Sequence, residues 1–133
     1  EATTAESVAA GDHFVRMNGR EVFKFATRVL VSSANDILEE CDRTIEDVDV
    51  YIPHQANVRI IDHAAKKLGI DHDRVVINVD RYGNTSSGSI PLAIADAVED
   101  GRLKPGELVL MTGMGAGLTW GSALMEWTLN GGR

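Results

Sequence analysis

The sequence contains a single cysteine, Cys41. One thiol cannot close an internal disulfide, so a reducing cytoplasm is the simplest setting. Prolines number three and aromatic residues make up 5%. No apolar run approaches the ~20 residues that a membrane helix needs, so no membrane span is expected. Basic residues are the minority charge, 13 Lys and Arg against 20 Asp and Glu, for a formal charge of −7. That balance argues against general nucleic-acid binding, which wants a basic surface. Metal-ligand spacing is also missing. No cysteine accompanies the histidines and no HExxH occurs, so no metal site is expected. Residues 1–11 lack the basic start and apolar stretch of a signal peptide. They are small and polar and read as a loop or linker. The first residue is not Met, so the natural start is expected to be missing or processed.

What is present suits one globular domain. The chain has 133 residues, 44% hydrophobic and 25% charged. A chain of this length buries about two-thirds of the surface exposed on unfolding. The elements read helix, strand, helix, strand, helix, strand, strand. The first helix spans Gly19 to Glu40, with Asn18 as cap and Glu21 at the acid position of a capping box. Val22, Ala26, Val29, Leu30, Ser33 and Ile37 form its buried stripe. Val48 to Ile52 is a short strand ended by Pro53. A second helix covers Ala56 to Leu68, with Val58, Ile61, Ala65 and Leu68 as its stripe and Gly69 as its stop. Val75 to Val79 is the second strand and residues 81–89 a polar loop. The third helix covers Ser89 to Glu99. Glu107 to Thr112 and Thr119 to Thr128 are the last two strands, antiparallel because their connection is short. Helices alternating with apolar strands predict an α/β fold with a mainly parallel sheet and an antiparallel final strand.

The chemistry is placed by that order. His54 follows the first strand, Asn84 the second, and the Gly113–Gly117 bend the third. In open α/β sheets ligands bind beyond the carboxyl ends of the strands, so these three loops are expected to share one edge. His54, near the start of a helix, meets the positive end of a helix dipole, which favours the neutral ring. Alone it reads as a capping or core histidine, and Asn84 alone reads as a turn residue. Together they read as two neutral donors aimed at one developing oxyanion, such as an enolate formed by decarboxylation. The glycine-rich bend offers backbone N–H groups for a second oxyanion, or is only a tight turn. Cys41 lies among acidic neighbours, which disfavour a nucleophilic thiolate, and reads as a structural or incidental thiol. Arg59, Lys66 and Lys67 share a helix face that Lys24 could join. That face is either simply solvated or a dock for an acidic partner.

Four longer motifs carry a resemblance. They are Asn18-Gly-Arg-Glu-Val-Phe-Lys24, Ile52-Pro-His-Gln-Ala-Asn-Val-Arg-Ile60, Arg81-Tyr-Gly-Asn-Thr-Ser86 and Gly115-Ala-Gly-Leu-Thr-Trp-Gly-Ser-Ala123. From about Phe14 to Trp127 the chain resembles the C-terminal half of β-ketoacyl-acyl-carrier-protein synthase III. The resemblance implies one half of a thiolase-like fold within a homodimer, with residues 1–12 as a linker or truncated start and 13–133 as the C-terminal domain. It implies a cytoplasmic acyltransferase of fatty-acid synthesis that needs no cofactor. Its reaction is the decarboxylative Claisen condensation of an acyl-CoA primer with malonyl-acyl-carrier protein. His54 and Asn84 become the catalytic pair, and the Ala116 backbone N–H an oxyanion donor. Gln55, Ala56, Asn57, Val58 and Arg59 become the carrier-protein contact, with Arg59 its anchor and Lys24, Lys66 and Lys67 assisting. Three glycines are frequent in the family where this chain has Gly115-Ala-Gly117.

The family's nucleophile is a cysteine on its N-terminal half. Cys41 does not match it, so that half is expected to be a separate or lost piece, with the first strand of the C-terminal half cut off before Glu1. This chain alone is then expected to be inactive and to need its own N-terminal half as a partner. Two other readings stand beside this one. One is a polyketide-type starter condensing enzyme of secondary metabolism. The other is a non-catalytic thiolase-fold remnant.

Overall fold

The computed structural model describes residues 3–129. Its described residues form five α-helices and three strands, with three single-turn 3-10 helices between them: α1 (Ala5–Ala9), α2 (Gly19–Glu40), β1 (Val50–Pro53), α3 (Val58–Leu68), α4 (Val79–Tyr82), α5 (Ser89–Glu99), β2 (Leu108–Gly115) and β3 (Thr119–Glu126). Two of them were not expected. Residues 5–9, read as a loop, form one helical turn because Thr4 and Ser7 satisfy each other's N–H groups. Residues 79–82, read as strand end and loop, form α4.

The long helix keeps its expected ends. Asn18 accepts a hydrogen bond from the Glu21 N–H at 3.3 Å. The reciprocal half of the box is absent, because the Glu21 carboxylate pairs with Lys24 at 2.9 Å instead. Ala26, Val29, Leu30 and Ser33 are buried, joined by Ala34 and Leu38. On α3, Ile61, Ala65 and Leu68 are buried as expected, with Ile60 and Ala64. Val58 is the exception, 43% exposed at the first turn, where no other layer covers it. Gly69 closes α3 in the left-handed conformation (φ 77°) that only glycine adopts freely.

The sheet order is β1-β2-β3. β1 runs parallel to β2, from Val50 opposite Val109 to Pro53 opposite Thr112. β2 and β3 form the expected antiparallel hairpin, from Leu108 opposite Glu126 to Gly115 opposite Thr119. Pro53 ends β1 as expected, as its last paired residue. Its neighbour His54 donates its N–H to the Thr112 carbonyl at 2.8 Å, so Pro53 turns its missing N–H away from β2.

The second predicted strand is the main correction. Residues 75–78 meet β1 through one parallel bridge, Val75 to Tyr51, rather than a ladder. Gln55 takes over where the ladder would continue. Its amide nitrogen donates to the carbonyls of Pro53 (2.8 Å) and Val76 (3.0 Å), and its oxygen accepts from the Asn78 N–H (2.9 Å).

Alternate residues of β1 and β2 face opposite sides, as strand geometry requires. Tyr51 and Leu110 enter one core with Ala34, Leu38 and Ile61 from α2 and α3. Val50, Ile52 and Val109 enter the other with Ala93 and Ala97 of α5. The result is three layers, helices on both faces of a small mixed sheet. The buried Tyr51 hydroxyl bonds to Thr112 Oγ1 at 2.7 Å. Burial pushes its pKa up to about 12, against the opposing effect of that bond. Among the described residues, no helix is long and apolar enough to cross a membrane.

Candidate active site

Layer geometry brings three chain segments to one end of the sheet. His54 extends from β1, residues 113–117 from the end of β2, and residues 84–89 lead into α5. All three line one cleft of about 1100 Å³, together with residues 15–19 and 22–23 before and within α2. His54, Asn84 and Ala116, proposed from sequence as working parts, are all on its walls. The expected shared edge therefore exists, although the segment before Asn84 is α4 and not a strand.

His54 is half-buried, and burial holds its pKa below the usual imidazole value. The helix that meets the ring is α5 rather than α3. His54 Nδ1 lies 2.6 Å from Oγ of Ser89, the first residue of α5. α3 begins only at Val58, capped by Asn57, whose side chain accepts the Arg59 N–H at 2.9 Å. The positive end of α5 therefore adds to burial in disfavouring an imidazolium.

Asn84 is exposed on the same cleft. Its Oδ1 accepts the Ser86 N–H at 3.0 Å, so its NH2 group remains free to donate. Ser86 holds this turn with φ 53°, a left-handed value costly to a non-glycine residue. Behind the turn lies a dry carboxylate. Asp96 on α5 is 8% exposed. It accepts from Asn78 Nδ2 at 2.6 Å, Arg81 at 2.6 Å and the Tyr82 hydroxyl at 3.2 Å. Asp96 thus clamps α4, the element from which the Asn84 loop departs.

Gly117 shapes the third segment. It has φ +146°, and an added Cβ would lie 2.8 Å from Thr119 Cγ2. Ala116 before it keeps its φ in the ordinary range. Its carbonyl accepts the Thr119 hydroxyl at 3.2 Å.

The expected basic positions all lie at the protein surface. Lys24, Arg59, Lys66 and Lys67 are exposed, and Arg59 lies 5.7 Å over the Phe23 ring, linking α3 to α2. Asn57 and Val58 are exposed with them, and Ala56 is partly covered. Gln55 does not belong to this surface. It is completely buried, and the three hydrogen bonds of its amide are internal, so a partner could not reach it. Cys41 sits exposed at the end of α2 and is not among the cleft-lining residues. His72 lies 3.6 Å from Asp62 and His63 lines a shallow groove between α2 and α3. Among the described residues, no cluster of His, Cys, Asp or Glu could hold a metal ion.

Ser89 and Asp96 were not singled out from the sequence. Ser89 is 35 positions from His54, and its signal was only a serine opening a helix. Asp96 could have been noticed as an acid on the apolar face of α5, between Ala93 and Ala97.

The family described as 3-oxoacyl-[acyl-carrier-protein (ACP)] synthase III C terminal matches residues 38–127. The β-ketoacyl-[acyl-carrier-protein] synthase III of Symbiobacterium thermophilum is 52% identical over 122 residues, 92% of this chain and 37% of that protein. A synthase III structure from Thermus thermophilus is 53% identical with a TM-score of 0.83, covering 84% of this chain and 35% of that one. One from Pseudomonas aeruginosa is 35% identical with a TM-score of 0.87, covering 98% and 39%. The chain thus spans little more than a third of the length of these relatives.

Proposed function

The chain belongs to the 3-oxoacyl-[acyl-carrier-protein] synthase III family, matching its C-terminal part, and from that premise we propose that it supplies the decarboxylating half of a condensing acyltransferase. The substrates on this reading are an acyl-CoA primer and malonyl-acyl-carrier protein, and the product begins a fatty-acid chain. His54 and Asn84 donate N–H bonds to the malonyl thioester oxygen. As the bond to the departing carbon dioxide breaks, its electron pair moves into the enolate and negative charge grows on that oxygen. Donors already in place stabilise it more than water could, because they need no reorganisation. The enolate carbon then attacks the carbonyl carbon of the primer thioester, held on a cysteine of an N-terminal half like that of the family; the carbon–sulfur bond breaks and the cysteine leaves as its thiolate. The Ala116 N–H assists the oxyanion of that acyl transfer. No resident cofactor takes part. A cytoplasmic homodimer is the assembly this reading implies.

The observation that carries it is the pairing of free donor edges on one cleft. His54 has its Nδ1 side occupied by Ser89 and Asn84 has its oxygen occupied by Ser86. What remains of each, Nε2 and the NH2 group, is unengaged among the described residues. Lys24, Arg59, Lys66 and Lys67 support the carrier-protein contact, since an acidic partner fits a basic face on a chain of net charge −7. Asn57 and Val58 lie beside them as rim contacts.

The test is malonyl-thioester decarboxylation by the full-length enzyme. His54→Ala and Asn84→Ala should each lower the rate about 10²- to 10³-fold, the usual cost of one oxyanion donor. Condensation left intact in both variants sinks the proposal.

A further inference from the structure

Ser89 opens α5 and is 2% exposed. Its hydroxyl has two neighbours. The Gln55 backbone N–H donates to Oγ at 3.3 Å, and His54 Nδ1 lies at 2.6 Å. A hydroxyl brings one proton and two lone pairs. The Gln55 N–H can only donate, so it occupies a lone pair. Among the described residues, the hydroxyl bonds to nothing else, not even the carbonyl one turn back that helical serines often use. His54 Nδ1 is therefore the one acceptor within its reach. If Nδ1 carried the ring proton, Ser89 would face two donors and its own proton would be buried without an acceptor, an unfavourable arrangement.

We propose that Ser89 is a positioning residue that fixes His54 in the Nε2–H tautomer, by donating its proton to Nδ1 while the Gln55 amide sets the direction of the hydroxyl. The ring proton is thereby placed on the nitrogen that the protein leaves unengaged. A ring with the other tautomer would turn a lone pair toward the developing enolate oxygen and repel it. Gln55 gains a second role. Its side chain ties Pro53 to residues 76–78, and its backbone N–H orders the serine that orders the histidine. The use of this tautomer in catalysis rests on the oxyanion reading above, whereas the tautomer itself does not.

The experiment reads the tautomer directly, without substrate. The full chain is labelled with 15N-histidine, and long-range 15N–1H correlations are recorded at neutral pH. The expected result is a protonated-type shift at His54 Nε2 and an unprotonated-type shift at Nδ1. In Ser89→Ala the ratio of tautomers should move toward Nδ1–H by about fivefold or more, the equivalent of one buried hydrogen bond. A ratio unchanged in a folded Ser89→Ala variant overturns the proposal. So does Nδ1–H as the main form in the parent protein, which decides the matter even if the variant fails to fold. If the parent shows Nε2–H and the variant shifts as expected while His54→Ala retains full condensation, the positioning role stands and the catalytic reading falls.

Discussion

The two sides of the cleft are built differently. The α5 side is wired. His54, Ser89, Gln55, Asn78 and Asp96 form a continuous hydrogen-bonded chain, four of the five members being buried. The facing wall is loosely held. Met17 is 73% exposed, Leu118 52% and Trp120 55%. Among the described residues its one aromatic pair is the edge-on approach of Phe25 to Trp120, with centroids 5.7 Å apart. The contrast shows where the precision of the site resides. His54 is set by buried polar partners, Ser89 of α5 and the Gln55 N–H, and Asn84 by the Ser86 N–H of its own turn, while the apolar wall depends little on internal support.

Substitutions on the two sides should therefore differ in size. Asp96→Ala would leave Asn78 Nδ2 buried without its acceptor and release Arg81 and Tyr82. We expect a loss of about 2–3 kcal/mol in urea unfolding. Decarboxylation should fall as well, because the Asn84 loop is no longer anchored. Gly117→Ala comes next. It forces a strained φ and a 2.8 Å contact, and should cost about 1–3 kcal/mol. Trp120→Ser should be the mildest, within about 1 kcal/mol by the same denaturant midpoints, since it loses one partly exposed aromatic pair. A Trp120→Ser cost as large as that of Asp96→Ala would erase the proposed difference between the walls. Arg59→Glu sharpens it from outside the cleft, raising KM for a carrier-protein substrate while leaving KM for a CoA thioester unchanged. Equal effects on both substrates would place Arg59 elsewhere in the mechanism.

Much of the frame was legible in one dimension because local chemistry decided it. Asn18 caps α2 and Gly69 ends α3 where their residue types predict, and α5 has its expected span. The strand-end rule brought His54, Asn84 and Ala116 onto one cleft even though one of the four expected strands is absent. What sequence reading missed is non-local. The 75–79 segment is rich in β-branched residues, yet Gln55, 21 positions from Val76, occupies the ladder's hydrogen bonds. The same burial removes Gln55 from the contact surface where the family motif suggested it. Ser89 and Asp96 matter through partners 35 and 15–18 positions away, which no periodicity marks.

The central claim is that neutral His54 is the working form, and the pH dependence of malonyl-thioester decarboxylation in the full-length enzyme tests it most directly. Burial lowers the His54 pKa below its ordinary value of 6.5, so the ring is uncharged at neutral pH. The rate should be level across neutrality and fall only as acid protonates His54, at a pH below that ordinary value. A rate that climbs as the pH drops through this range, following the appearance of the imidazolium, would contradict the account.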